Sequence, residues 1–200
     1  MLRIFIVIIF ILNLSGCGYN DIQTYDEQVN ASWSEVLNQY QRRADLIPNL
    51  VASIKGYSSH EQEVLEAVTL ARSQANRASR ALQQTPGDEQ KLQTWQQAQA
   101  QVSRTLGQLT IISERYPELK AQELYQNLMV QLEGSENRIA VARGRYIKAI
   151  EQYNVTIRKF PAVLTAKVMD YKPKKNYLPD DVAAVSKTPT IDFSQNANAH

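Results

Sequence analysis

The chain has 200 residues, of which 44% are hydrophobic, 8% aromatic and 21% charged, enough for one globular domain with a sizeable core. Its 22 basic and 20 acidic residues give a formal net charge of +2, and removing residues 1–16, which takes away Arg3, leaves 21 basic against 20 acidic, or +1. A balance so near neutral argues against a dedicated nucleic-acid binder, which carries a basic face, and one cysteine, Cys17, excludes disulfides, a cysteine zinc cluster and a redox pair.

The first element in the chain is a basic residue, Arg3, followed by the apolar run Ile4 to Leu12 and then Leu14-Ser15-Gly16-Cys17. This order resembles the secretory signal and lipobox of a bacterial lipoprotein. Small residues at Ser15 and Gly16 let a membrane-embedded peptidase reach the backbone, and the Cys17 thiol is the nucleophile that takes up a diacylglyceryl group. Cleavage between Gly16 and Cys17 frees an amine that a further fatty acyl chain, such as palmitate, can occupy. Ile4 to Leu14 spans eleven residues, short of the roughly 17–25 a membrane-spanning helix needs, so an uncleaved anchor is the weaker reading. The expected division is therefore a signal peptide over 1–16, a lipidated linker over 17–21 and a mature domain beyond. Gly18, in the position after Cys17, is not the acidic residue that resembles an inner-membrane retention signal, which favours an outer membrane where the cell has one.

From Ile22 the apolar residues recur in steps of three and four: Ile22, Tyr25, Val29, Trp33, Val36, Tyr40, Ala44, Ile47, Val51 and Ile54. That spacing predicts one face of a long amphipathic helix. Pro48 lies inside it, where its ring opposes the Ala44 carbonyl and removes one hydrogen bond, so a kink is expected there. Gly56 and Tyr57-Ser58-Ser59 predict the end, with Ser59 capping a second helix whose first turn carries Glu61 and Glu63. The second helix runs from about His60 to Gln83, with Val64, Val68, Ala71, Ala75, Ala78 and Leu82 facing the core. Thr85-Pro86-Gly87-Asp88 is a turn ending in a helix cap. The third helix, about Glu89 to Tyr116, uses Leu92, Trp95, Val102, Leu106, Leu109 and Ile112 inside and glutamines outside, and Pro117 breaks it.

The fourth predicted helix carries Leu124, Leu128, Leu132, Ile139, Ala142, Tyr146, Ile150, Tyr153 and Ile157 as its stripe and ends at Phe160-Pro161. At 1.5 Å per residue its roughly forty residues span about 60 Å. The expected fold class is all-α: an antiparallel bundle of four long helices over 22–160, crossing at shallow, coiled-coil-like angles. Val163, Leu164, Val168, Met169 and Tyr171 are expected to hold residues 161–178 as an extended segment packed on the bundle. Residues 179–200 read as a mobile tail.

Arg42-Arg43-Ala44-Asp45-Leu46-Ile47-Pro48-Asn49-Leu50-Val51, followed by Lys55-Gly56-Tyr57 and His60-Glu61, resembles the signature of the LemA family. The resemblance continues through Glu114-Arg115-Tyr116-Pro117-Glu118-Leu119-Lys120-Ala121, Leu132-Glu133 with Glu136, Arg145-Tyr146, and Tyr153-Asn154 with Phe160-Pro161, covering Tyr19 to Tyr171 in matching order. It implies an all-helical bundle carried on an N-terminal membrane attachment and facing away from the cytoplasm, and it implies no particular reaction. Many relatives use an uncleaved membrane helix, whereas this chain carries a lipobox.

Arg42, Arg43, Asp45 and Asn49 cluster around Pro48, spaced so that Arg43 faces inward while Arg42 faces out. One reading is a ligand site at the kink that uses the freed Ala44 carbonyl. The favoured reading is a structural ion-pair cluster between Arg43 and Glu114, Glu133 or Glu136 on neighbouring helices, with Asn154 bonding backbone nearby. His60-Glu61 fails the zinc-protease pattern because Val64 stands where the second histidine belongs. A di-iron bundle fails for want of its Glu-x-x-His pairs, and no serine has a histidine and acid partner. Glu133 and Glu136 on one helix face read as solvation rather than as an acid-base pair, and Lys172, Lys174 and Lys175 with Tyr171 and Tyr177 read as a solvated loop.

These residues point to no enzyme, cofactor or metal. They point to an envelope lipoprotein, attached to a membrane through Cys17 and facing away from the cytoplasm, periplasmic in a Gram-negative cell. Such a protein serves as a helical scaffold or adaptor for envelope proteins or for further copies of itself. The alternative is a binding module built on Arg42 to Val51, and an enzyme acting on cell-wall material is the weakest reading.

Overall fold

The computed structural model describes the backbone of residues 2–55, 61–85 and 87–175, with side chains described from Gly18 onward. The chain is all-helical, in the order α1 (Leu2–Lys55), α2 (Gln62–Gln84), α3 (Glu89–Arg115), α4 (Pro117–Lys120), α5 (Glu123–Thr156) and α6 (Ala162–Val168). Among the described residues there is no strand. α1 is 54 residues long and passes through Pro48 without a break. It also begins well before Ile22, at Leu2: no proline stands between the apolar run and Tyr19, and the helix passes through Gly16 and Gly18.

The boundaries that the punctuation predicted follow from local chemistry. Gly87 takes φ 92°, a left-handed conformation that a side chain would strain, and Asp88 then caps α3, its carboxylate accepting from the Gln90 and Lys91 backbone N–H groups at 3.0 and 3.1 Å. Tyr116, held extended by the proline that follows it, ends α3 one residue before Pro117 opens α4 at its first position. The predicted cap at Ser59, the end signals Gly56 to Ser58, His60, residues 176–178 and the tail over 179–200 lie outside the described residues.

Three apolar clusters run along the molecule. Nearest the N-terminal end, Ile22 and Val29 of α1 meet Ala149, Ile150 and Tyr153 of α5 and Ala162 and Ala166 of α6. In the middle, Val36 and Tyr40 meet Ala78, Leu82, Trp95, Ile139 and Ala142, with Trp33 packed alongside. At the far end, Ile47, Leu50 and Ile54 meet Leu65 and Val68 of α2, Leu109 and Ile112 of α3, Leu119 of α4, and Leu128 and Leu132 of α5. Rising numbers on α1 thus meet falling numbers on α5, and the same holds for α2 against α3. α2 and α3 contribute to the middle and far clusters, whereas at the N-terminal end α6 supplies the third wall.

Four details differ from the periodicity. In α2 Leu65 is buried and Val64 only half-buried, and in α5 Tyr125 is buried while Leu124 is 60% exposed. In each case the helix turns the neighbouring residue inward at its first turn, where the stripe is anchored least. Gln99 does not join the outer glutamines of α3 but is buried, because Arg43 needs its amide. The segment after Pro161 is not wholly extended: it forms α6, which buries Ala162 and Ala166, while the expected anchors Leu164, Val168 and Met169 are exposed. The reason is close approach. A Cβ placed on Gly18 of α1 would stand 2.7 Å from the Ala162 Cα, so only small residues fit between the two helices.

Candidate functional site

Arg43 occupies a core position of α1, on the same face as Tyr40, Ile47 and Leu50, and is 1% exposed. A buried guanidinium is costly unless most of its donors are met. Its Nη1 donates to Ser103 Oγ at 2.8 Å and to Glu136 Oε1 at 2.6 Å. Its Nη2 donates to Gln99 Oε1 at 2.9 Å and to the Gln99 carbonyl at 3.3 Å. The Tyr40 ring lies 5.0 Å from the guanidinium carbon, a cation–π contact. The planar fork therefore joins α1 to α3 and α5 at one point, which a lysine with its single ammonium could not do. Nε makes no hydrogen bond.

An aromatic cluster lies beneath this point. Trp95 meets Tyr40 edge-on at 4.8 Å and Trp33 at 5.4 Å, and Trp33 meets Tyr146 at 5.0 Å. The Trp95 indole N–H donates to Ser79 Oγ at 2.9 Å. Above it, α3 and α5 leave an open cleft of about 510 Å³, lined by Ser103, Leu106, Thr110, Met129, Glu133 and Glu136 among others. Glu136 is half in this cleft and half in the Arg43 bond.

Around Pro48 the groups are engaged or apart. The Ala44 carbonyl, which loses its helical partner to the proline ring, accepts from Arg72 Nε of α2 at 2.7 Å. Asp45 Oδ1 accepts from Gln41 Nε2 at 2.8 Å, and Arg42, Pro48 and Asn49 are exposed on the outer face. Glu114 does not meet Arg43: both its oxygens accept from Lys120 Nζ, at 2.7 and 2.8 Å, across the Tyr116-Pro117 corner. Of the three glutamates considered as partners of Arg43, it is Glu136 that the structure brings to it.

Asn154 holds the C-terminal segment. Its Nδ2 donates to the Lys174 carbonyl at 2.7 Å and its Oδ1 accepts from the Lys174 N–H at 2.8 Å. Lys174 Nζ pairs with Asp26 of α1 at 2.8 Å and lies 5.2 Å from the Tyr153 ring, while Lys175 pairs with Glu89 and Lys172 with Asp170. Lys174 therefore fastens the chain after α6 to α1 and α5, while Lys172 and Lys175 stay in solvent, 78% and 79% exposed. Burial raises the Tyr153 hydroxyl above the ordinary tyrosine value, with the Asp26 carboxylate and Tyr171 adding to the rise, and burial alone raises Tyr146.

The chemistry of these groups is that of joinery. Among the described residues no three His, Cys, Asp or Glu side chains come together to hold a metal ion. Sequence reasoning missed Gln99, Ser103 and Arg72. Only the inward phase of Arg43 and the vacancy opposite Pro48 signalled that such partners had to exist.

A family model described as the LemA family matches residues 32–193. The chain belongs to the LemA family. The LemA match takes in the Arg43 joint, the Pro48 turn and α2 to α6, while Cys17 and the segment before it lie outside. Curated relatives of this LemA-family chain include Magnetosome protein MamQ 2 and Magnetosome protein MamQ 1 of Paramagnetospirillum magneticum, each 27% identical over 169 residues. Magnetosome protein MamQ of Magnetospirillum gryphiswaldense is 26% identical over 169 residues. Each match covers 77% of this chain and 62% of the relative, so the chain spans less than two thirds of the length of the curated relatives it matches.

Proposed function

We propose that this LemA-family protein is a non-enzymatic envelope lipoprotein, a helical scaffold or adaptor held to a membrane through acylated Cys17 and facing away from the cytoplasm. The observation that carries the reading is Leu14-Ser15-Gly16-Cys17 behind a short apolar run, followed directly by Gly18, which is already packed against α6. Residues 1–16 are then the removed signal, and the folded domain begins at the lipid. Among the described residues no helix is long and apolar enough to cross a membrane. In this reading α1, α2, α3 and α5 form one antiparallel bundle, bent at Pro48, and the opposed registers of α1 with α5 and α2 with α3 support it. Partners, whether envelope proteins or further copies, find an apolar seam in the cleft between α3 and α5, where Val130 is also exposed.

A ligand module around Pro48 has less in its favour. The Ala44 carbonyl, the Arg43 Nη groups and Asp45 are all bonded within the protein. A photo-crosslinking residue at Val130 or Ile111, in cells carrying Cys17 or Cys17→Ala, tests the proposal. The expected result is capture of an envelope protein or of a second copy from the Cys17 chain in the membrane fraction, and loss of membrane retention in Cys17→Ala. Equal fractionation of the two chains with nothing captured overturns it.

A further inference from the structure

α6 is amphipathic the wrong way round for a helix packed on a protein. Its inner face is Ala162 and Ala166, and the opposite face, reached two residues further along at about 200° around the axis, carries Leu164 and Val168. Phe160, two residues before α6, and Met169, immediately after it, flank that face in the chain. Phe160 is 73% exposed, Leu164 55%, Val168 85% and Met169 52%. Single exposed apolar residues are ordinary, but four large ones within ten residues form a patch of the kind that marks an interaction surface. Arg158, Lys159 and Lys167 are exposed beside them, Lys167 about 60° around the α6 axis from Leu164.

The position of the patch selects its partner. Gly18 touches Ala162, so α6 lies against α1 one residue beyond Cys17, and among the described residues the core at this end of the molecule is built from α1, α5 and α6. We propose that the outer face of α6, Leu164 and Val168, with the flanking Phe160 and Met169, rests in the interface of an anionic lipid bilayer and seats the domain on the membrane. Apolar side chains beside basic ones are the composition of helices that lie in a membrane interface, and anionic headgroups complement Arg158, Lys159 and Lys167. The proposal rests on the reading of Cys17 as the lipid attachment. It adds a second contact to the lipid tether, so that the bundle is fixed in orientation and its far end, with the α3–α4 corner, points away from the membrane.

The test uses the full chain, isolated from membranes and reconstituted into phosphatidylethanolamine–phosphatidylglycerol vesicles with and without brominated acyl chains. Val168→Trp places a fluorophore in the patch, Ile111→Trp places one on α3 at the far cluster, and Trp33 and Trp95 provide the background. The expected result is flotation of both variants with the vesicles, with the Val168→Trp emission shifted to the blue and largely quenched by bromine, and Ile111→Trp unaffected. Flotation with an unshifted, unquenched Val168→Trp overturns the interfacial face and leaves the Cys17 anchor standing. A blue shift that grows with protein concentration and is indifferent to bromine also overturns it, in favour of a second copy covering the face. Failure of both variants to float removes the anchor and the interfacial face together.

Discussion

The Ala44 carbonyl offers a direct check on how this fold accommodates a proline inside its longest helix. The Pro48 ring removes the N–H that would bond to Ala44, and Ala44 is 6% exposed, so water is a poor substitute. An orphaned buried carbonyl costs about 1–3 kcal/mol. Arg72, on α2, reaches across at 2.7 Å and supplies a charged donor, worth about 1.5–3 kcal/mol and toward the low end because Arg72 is itself half-exposed to screening solvent. Arg72→Met, which keeps most of the aliphatic packing, should therefore destabilise the protein by about 1.5 kcal/mol. Pro48→Ala restores the helical N–H and with it the carbonyl's partner. In that background Arg72→Met should cost only about 0.5 kcal/mol, leaving a coupling of about 1 kcal/mol. Urea unfolding of the four proteins, followed by far-UV circular dichroism at unchanged m-value, measures the cycle. Equal costs of Arg72→Met in the two backgrounds would refute the reasoning, since Arg72 would then be stabilising something other than the vacancy left by the proline.

Other perturbations bear on other joints. Arg43→Met keeps volume but strands the Gln99 amide, and should lose about 1–3 kcal/mol, most of it regained by adding Gln99→Leu, because an apolar replacement of a buried polar set is often neutral; the same unfolding cycle reads this. Gly18→Val forces a branched side chain into the Ala162 backbone, 2.7 Å from the built Cβ position, and should cost about 1–3 kcal/mol with faster amide hydrogen exchange confined to α6. Tyr146 and Tyr153 have pKa values raised above 10.0 in the fold, so their unfolded forms lose protons first. Stability is then full below pH 10.0 and falls as pH rises from there through the raised folded values, and Tyr153→Phe should flatten that fall in guanidinium titrations at stepped alkaline pH.

The long elements were legible because core stripes and punctuation agreed: Asp88, Gly87 and Pro117 stand where the chain turns, and the spacing from Leu128 to Ile157 is the α5 stripe. The first turn of a helix is read less well, as Val64 against Leu65 and Leu124 against Tyr125 show, because one residue of phase is weakly constrained by two or three apolar neighbours. Arg43 could be seen to face inward, but its partners lie 56, 60 and 93 residues away in the chain, and no local pattern picks Glu136 over Glu114. The vacancy at Ala44 followed from Pro48 alone, while its occupant, Arg72, required the packing of α2 on α1. α6 misled for a physical reason. Apolar residues are read as inward-facing, yet Gly18 leaves room only for alanines between the helices, and the large side chains turn out.

The proposed membrane attachment turns on what is bound to Cys17. The most direct measurement is the mass of the N-terminal proteolytic peptide of protein extracted from membranes. The predicted peptide begins at Cys17 and carries a diacylglyceryl thioether with an acylated amine. A peptide that retains residues before Cys17, with a free thiol, contradicts the account.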